Sequence, residues 1–228
     1  MIRLPRVAAR IFGEPLAIDR AKLEVIVTAI GPRLKGMPMD DPEDTSARQP
    51  CVVGADGIAC IDISGTLVAR CSGMNAMSGL TSYADIAADF SAAMDNPLCR
   101  GIMLSIDSPG GEVAGMFDLA DMMYAARGQK PVCAVVDCAA SAAYLLASTA
   151  DQIVVSRTGL TGSVGIIALH LDQSGADEQA GLKYTAVYAG DRKNDGNSHA
   201  PLSPEARTGM QGRIDTVYGM FTGAVARN

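Results

Sequence analysis

Ser141 stands among alanines, in Ala139-Ala140-Ser141-Ala142-Ala143, between an apolar run at 132–136 and a helical run that begins at Tyr144. A serine at such a strand-to-helix turn can be approached by another molecule. Its hydroxyl lies near a helix N-terminus, whose free N–H groups and dipole favour developing negative charge. That is the layout of an acyl-transfer nucleophile. A serine between alanines is also ordinary in tightly packed helices, so the turn has to be weighed with what surrounds it.

Such chemistry also needs donors for an oxyanion and a base for the hydroxyl. Gly110 and Gly111 close the run Asp107-Ser108-Pro109-Gly110-Gly111 and can turn backbone N–H groups outward with no side chain in the way. As a bare motif, Pro-Gly-Gly is also a common turn. For the base the chain offers two histidines, His170 and His199, and a lysine, Lys193, 52 positions after Ser141. His170 lies in an apolar run and reads more simply as a half-buried strand residue. Lys193 lies in a polar loop, and a lysine works as a base only if its pKa falls from about 10.4 toward neutrality. Cys138, three positions before Ser141, is a rival nucleophile with no histidine near it in sequence.

The elements that must position these groups alternate. Strand patterns are expected at 57–64, 101–106, 132–136, 152–156 and 184–188, and an extended apolar run at 164–171. Helices are expected at 82–94, 113–126, from Ser141 to about Thr149, at 173–180, and after Ser203-Pro204, an N-cap followed by a proline at the first helical position. Residues 72–79 read as a loop. Strand–helix alternation implies an α/β domain. Residues 1–31 read as a helical arm, with Leu23, Ile26, Val27 and Ile30 at helical spacing. Residues 32–50, with four prolines and an acidic cluster, read as a linker, and 51–228 as the main domain.

With 228 residues, 48% of them hydrophobic, the chain can bury one sizeable core. A net charge of −6 gives no general attraction to nucleic acid or anionic lipid. No G-x-G-x-x-G follows the first strand, and no phosphate loop is present, so no nucleotide site is indicated. The six cysteines form no C-x-x-C pair and no zinc spacing, and, lying mostly in or beside apolar runs, read as buried free thiols in a reducing compartment. No run is long and apolar enough to span a bilayer, and the N-terminus lacks the apolar core of a signal peptide, so a cytoplasmic location is expected.

Residues 50–193 resemble the S49 peptidases, the signal peptide peptidase A family, within the larger ClpP/crotonase-like fold. The resemblance is carried, in order, by I-D-S-P-G-G (106–111), A-A-S-A-A-Y (139–144), A-D-Q-I (150–153), T-G-S-V-G (161–165), G-L-K-Y (181–184) and A-G-D-R-K (189–193). It implies a superhelix of ββα units and a serine endopeptidase with Ser141 as nucleophile and Lys193 as general base. Ser163 would hold the lysine, and the N–H groups of Gly111 (or Gly110) and Ala142 would form the oxyanion hole. It implies no metal and no cofactor. One departure stands out: Ala142-Ala143 follow the serine where the family usually has Gly-Gly.

The opening P-R-V-A-A-R-I-F-G-E-P-L-A-I and the acidic linker resemble the lambda-like phage capsid assembly proteases. That resemblance implies cleavage of scaffold and capsid proteins in the host cytoplasm, inside the procapsid. It also implies a homo-oligomer, and a scaffold-like continuation in relatives beyond the region that ends here at Asn228. Rival readings are a non-catalytic assembly or scaffold-docking module on the same fold, a ClpP-like triad using His170, and an acyl-CoA enzyme, for which no basic cluster speaks.

Overall fold

The computed structural model describes residues 10–34, 51–70 and 79–228. Most of the expected linker, the loop at 72–79 (apart from Gly79) and Cys71 lie outside them.

Alternation of side chains builds the main sheet. In β2 (Ile58–Ser64) Ala59, Ile61 and Ile63 are buried, while the residues between them face out. β5 (Gly101–Ser108), β7 (Val132–Ala140) and β8 (Gln152–Gly162) follow the same sheet in the order β2-β5-β7-β8, every pairing parallel. Parallel neighbours need crossovers. α2 (Tyr83–Asp95), α3 (Met116–Ala125) and α4 (Ala142–Ser148) supply them and bury Ile86, Phe90, Leu119, Met123, Leu145 and Leu146 in the main core. This is the α/β alternation expected, with parallel strands joined through helices. The run at 132–136 differs in one respect from a fully buried strand: Val135 is 42% exposed, because the sheet is covered on one face only.

A second, smaller sheet sits beside the strand ends in the order β1-β6-β3-β4, from β1 (Leu16–Ile18), β3 (Thr66–Val68), β4 (Leu80–Ser82) and β6 (Gly110–Glu112). β1 differs from expectation. Within the region read as helical throughout, Leu16–Ile18 form this strand instead, antiparallel to β6. The helix α1 (Arg20–Leu34) follows only after Asp19, whose carboxylate accepts from the N–H groups of Ala21 and Lys22 and so caps it. Leu23, Ile26 and Val27 of the expected stripe pack with Ile11, Leu16 and Ile18 in a small satellite core.

α5 (Ser174–Gln179) and α6 (Pro204–Arg227) complete the described fold. Ser203 caps α6 by accepting from Ala206 N–H, as its sequence signature requires. Residues 184–188 are not a strand; they run extended without ladder partners, with Val187 96% exposed.

Candidate active site

Bends in two strands bring the site together. The β5–β7 register shifts between Ile106 and Asp107, and the β7–β8 register between Val136 and Cys138, so Asp137 is left unpaired. A bulge of this kind bends a strand and re-aims its end. Beyond it Ala139 and Ala140 pair with Thr161 and Gly162, and the Ser141 N–H donates to the Gly162 carbonyl at 2.7 Å. The T-G-S-V-G segment is thereby laid alongside the serine turn.

Ser141 is the residue between β7 and α4, with φ 55° and ψ −116°. A non-glycine residue there is strained by about 1–3 kcal/mol and persists only where its surroundings over-determine it. The strain turns the chain sharply into α4, whose first N–H groups have no intrahelical acceptor. The Ser141 hydroxyl donates to the Gly165 carbonyl at 3.3 Å.

The glycines are built against this turn. Gly110 has φ 90°, and a Cβ there would stand 3.0 Å from Ala142 N, 2.9 Å from Ala140 O and 2.2 Å from Ala17 O. A Cβ on Gly111 would collide with the Leu67 carbonyl oxygen at 1.9 Å. The two positions admit no side chain, and the backbone of β6 therefore lies directly beside the start of α4. Gly110 N–H is already engaged, donating to Ser108 Oγ at 3.2 Å, while Ser108 Oγ donates to the Gly65 carbonyl at 2.7 Å. Of the two glycines named from the sequence, Gly110 thus has a side-chain acceptor, and Gly111 is paired in the ladder with Ala17 of β1.

Ser108 is fully buried and was not singled out by sequence reasoning. The only signal was its place between an acidic residue and a proline, which says nothing about a hydroxyl that orients a glycine two residues on. Glu112 is a second such residue. Its carboxylate accepts from Ala69 N–H at 2.7 Å and pairs with Arg10 at 3.2 Å, and its carbonyl accepts from the Tyr83 hydroxyl at 2.7 Å, so β6 is held from three sides.

Ser163 has φ 52° and lines a hollow with Ile18, Arg20, Val164, Gly165, Ile166 and Ile167. It neighbours the serine turn. Lys193 does not join it: the lysine is exposed on a turn at 191–196 and makes no hydrogen bond to Ser141 or Ser163. Its neighbour Arg192 pairs with Asp195 and donates to the Glu205 carbonyl, which docks that turn on the first turn of α6. Neither histidine reaches Ser141. His170 Nε2 lies 3.3 Å from the Ala200 carbonyl, and His199 pairs with Asp177 at 2.7 Å and stacks on Tyr184. The Cys138 thiol donates to the Ser108 carbonyl, and burial, then the charge of Asp107, push its pKa up, which lowers its thiolate fraction. Among the described residues no cluster of histidine, cysteine or carboxylate side chains could hold a metal ion.

A model of the peptidase family S49 matches residues 125–228. The chain is 38% identical over 98% of its length to the head-tail preconnector protein GP5 of Enterobacteria phage P21, covering 48% of that protein. It is 35% identical, again over 98% of its length, to the capsid assembly protease C of Escherichia phage lambda, covering 56% of it. The chain thus spans about half the length of these curated relatives. A probable enoyl-CoA hydratase from Mycobacterium smegmatis superposes with a TM-score of 0.35 at 13% identity, over 78% of this chain and 84% of that one. The S49 match covers the serine turn, Ser163 and Lys193, while the phage relatives extend the likeness to β1 and the glycine pair.

Proposed function

We propose that this chain is a serine endopeptidase of the S49 kind that cleaves scaffold and capsid proteins during phage head maturation. The observation that carries the reading is the strained Ser141 at the mouth of α4, with the Ala142 N–H and the β6 glycines packed against it. Ser141 attacks the scissile carbonyl, and its proton passes to Lys193. The oxyanion takes hydrogen bonds from Gly111 and Ala142, the C–N bond breaks as Lys193 returns the proton to the departing amine, and water then hydrolyses the acyl-enzyme to free Ser141. Ser163 orients the lysine. No metal or cofactor is called for.

Lys193 is solvated in a single chain, so its amine must be desolvated before it can accept a proton. A polypeptide substrate or a second copy of the chain, seated over the 191–196 turn, supplies that cover, and we propose that the working form is a homo-oligomer. No helix of the described residues is long and apolar enough to cross a membrane, which suits work inside a procapsid in the host cytoplasm.

The test is turnover of one peptide across a pH series, with fluorophosphonate labelling of the serine. Ser141→Ala should lose about 10³-fold or more. Lys193→Arg should be as inactive as Lys193→Ala, because guanidinium stays protonated. His170→Ala should keep most activity. An inactive but folded His170→Ala beside an active Lys193→Ala would transfer the base to histidine.

A further inference from the structure

The strand β1 is held in the way a bound peptide would be. On one edge, Asp19 N–H donates to the Pro109 carbonyl at 2.8 Å, and Ala17 is in register with Gly111. The alternation of an antiparallel ladder makes Ala17 and Gly111 the next hydrogen-bonded pair, so the Gly111 N–H points at the Ala17 carbonyl. On the other edge, Leu16 N–H donates to the Ile167 carbonyl at 2.7 Å, and the Leu16 carbonyl accepts from Ile167 N–H at 2.9 Å. An extended segment bonded on both edges by main-chain groups is the mode of strand addition.

The Ala17 carbonyl oxygen and Ala142 N both lie within 3.0 Å of the point where a Gly110 Cβ would stand. This carbonyl therefore meets Gly111, one of the donors assigned to the oxyanion, and lies against Gly110 as the other donor, Ala142, does. Ser141 is fully buried, and Leu16, Ala17 and Ile18 are 4%, 0% and 6% exposed. A nucleophile that must meet other polypeptides cannot act while so covered.

We propose that Leu16–Ile18 is a resident pseudosubstrate. The chain's own strand fills the slot that a substrate polypeptide must take, with the Ala17 carbonyl in the place of the scissile carbonyl. The slot opens to other chains only when β1 leaves it. This rests on the reading of Ser141 as nucleophile and also defines the ligand. Ala17 turns into the main core, among Leu67 and Ala142, while Leu16 and Ile18 turn to the satellite core. The substrate is an extended segment with a small residue immediately before the cleaved bond.

The test locks the strand in the full chain. Leu16 and Ile167 form a hydrogen-bonded antiparallel pair, whose Cα separation suits a disulfide, so Leu16→Cys with Ile167→Cys gives a reversible clamp. Fluorophosphonate labelling of Ser141 should fall about tenfold or more on oxidation and return on reduction, as the accessible fraction falls and recovers. Each single cysteine variant should be indifferent to oxidation. Equal labelling of the oxidised and reduced double variant would overturn the proposal.

A failure of the nucleophile reading would look different, because the wild type and the reduced variant would also fail to label. Amide exchange in Ser141→Ala then decides the strand's role. Excess acetyl-Pro-Leu-Ala amide should speed exchange at Leu16 and Ala17 while Gly111 stays protected by the incoming peptide. Unchanged protection of Leu16 and Ala17 at saturating peptide would sink the pseudosubstrate.

Discussion

Ser108 illustrates how a buried hydroxyl sets the direction of its neighbours. It bonds the Gly65 carbonyl and Gly110 N–H together, and it is fully enclosed. Ser108→Ala leaves a buried carbonyl and a buried N–H without partners, at a cost of about 1–3 kcal/mol. Peptide turnover should fall by a larger factor than the population of folded protein, since β6 loses its orientation. Parallel turnover and denaturant-melt measurements check this; equal losses would make Ser108 a purely structural residue. Cys138, by contrast, should be chemically quiet. Its raised pKa means that at neutral pH it carries less thiolate in the folded chain than an ordinary cysteine does. Iodoacetamide alkylation at Cys138 should therefore be slower in the folded than in the unfolded chain near neutrality. The rate should climb as the pH rises toward the elevated folded pKa.

At the scale of elements, the helices and the main sheet were legible because their signals are local. Ser82, Ser203-Pro204 and the apolar periodicity of α2, α3 and α6 all act within a few residues of the element they define. β1 was not legible. Three residues carry no period, and its partner strand lies more than ninety positions away, at Gly110–Glu112. The helical stripe of α1, which begins only five residues beyond β1, drew the whole segment into one helix. The site was legible as residue types but not as a constellation. Gly110 lies against the start of α4 at Ala142, Lys193 lies exposed on its own turn, and the contacts of Ser108 and Glu112 depend on long-range hydrogen bonds that no motif encodes. α6 shows how one side chain fastens an otherwise exposed helix. Phe221 is completely buried while Tyr218 and Met220 beside it are about half exposed. Phe221→Ala should cost about 3–5 kcal/mol, the range for emptying a fully packed aromatic site. Thermal melting of the variant, which retains the helix caps, reads this directly.

Across the whole molecule the two faces of the main sheet differ. One is covered by helices over its centre, and the other leaves Ile58, Val135 and Val154 37%, 42% and 52% exposed, while at the β8 edge Ile153 and Val155 of the helix side are exposed as well. The eleven-residue strand β8 forms the outer edge. Exposed branched apolar side chains along a long edge strand are the kind of surface on which another chain can pair. The chain should therefore self-associate, and Val135→Lys with Val154→Lys should raise the concentration at which it does so by about tenfold or more, one lost apolar contact on each side being sufficient for that factor. Sedimentation velocity across a dilution series reads the outcome. A wild type that stays monomeric throughout would remove the support this face lends to the homo-oligomer.

The contact between β6 and its neighbours also determines how the gene can vary. Gly110 and Gly111 are closed to every side chain by backbone atoms of Ala17, Ala140 and Leu67, so their intolerance follows from shape and holds even in a host where cleavage confers no advantage. Ser141 is the reverse case. Alanine inherits its strained φ without added bulk, and glycine relieves that strain by about 1 kcal/mol. A library of variants sorted first for folded protein and then for head production would separate the two kinds of constraint. Both glycines would drop out in the first sort. Ser141 would pass it freely, enriched for glycine, and be lost only in the second.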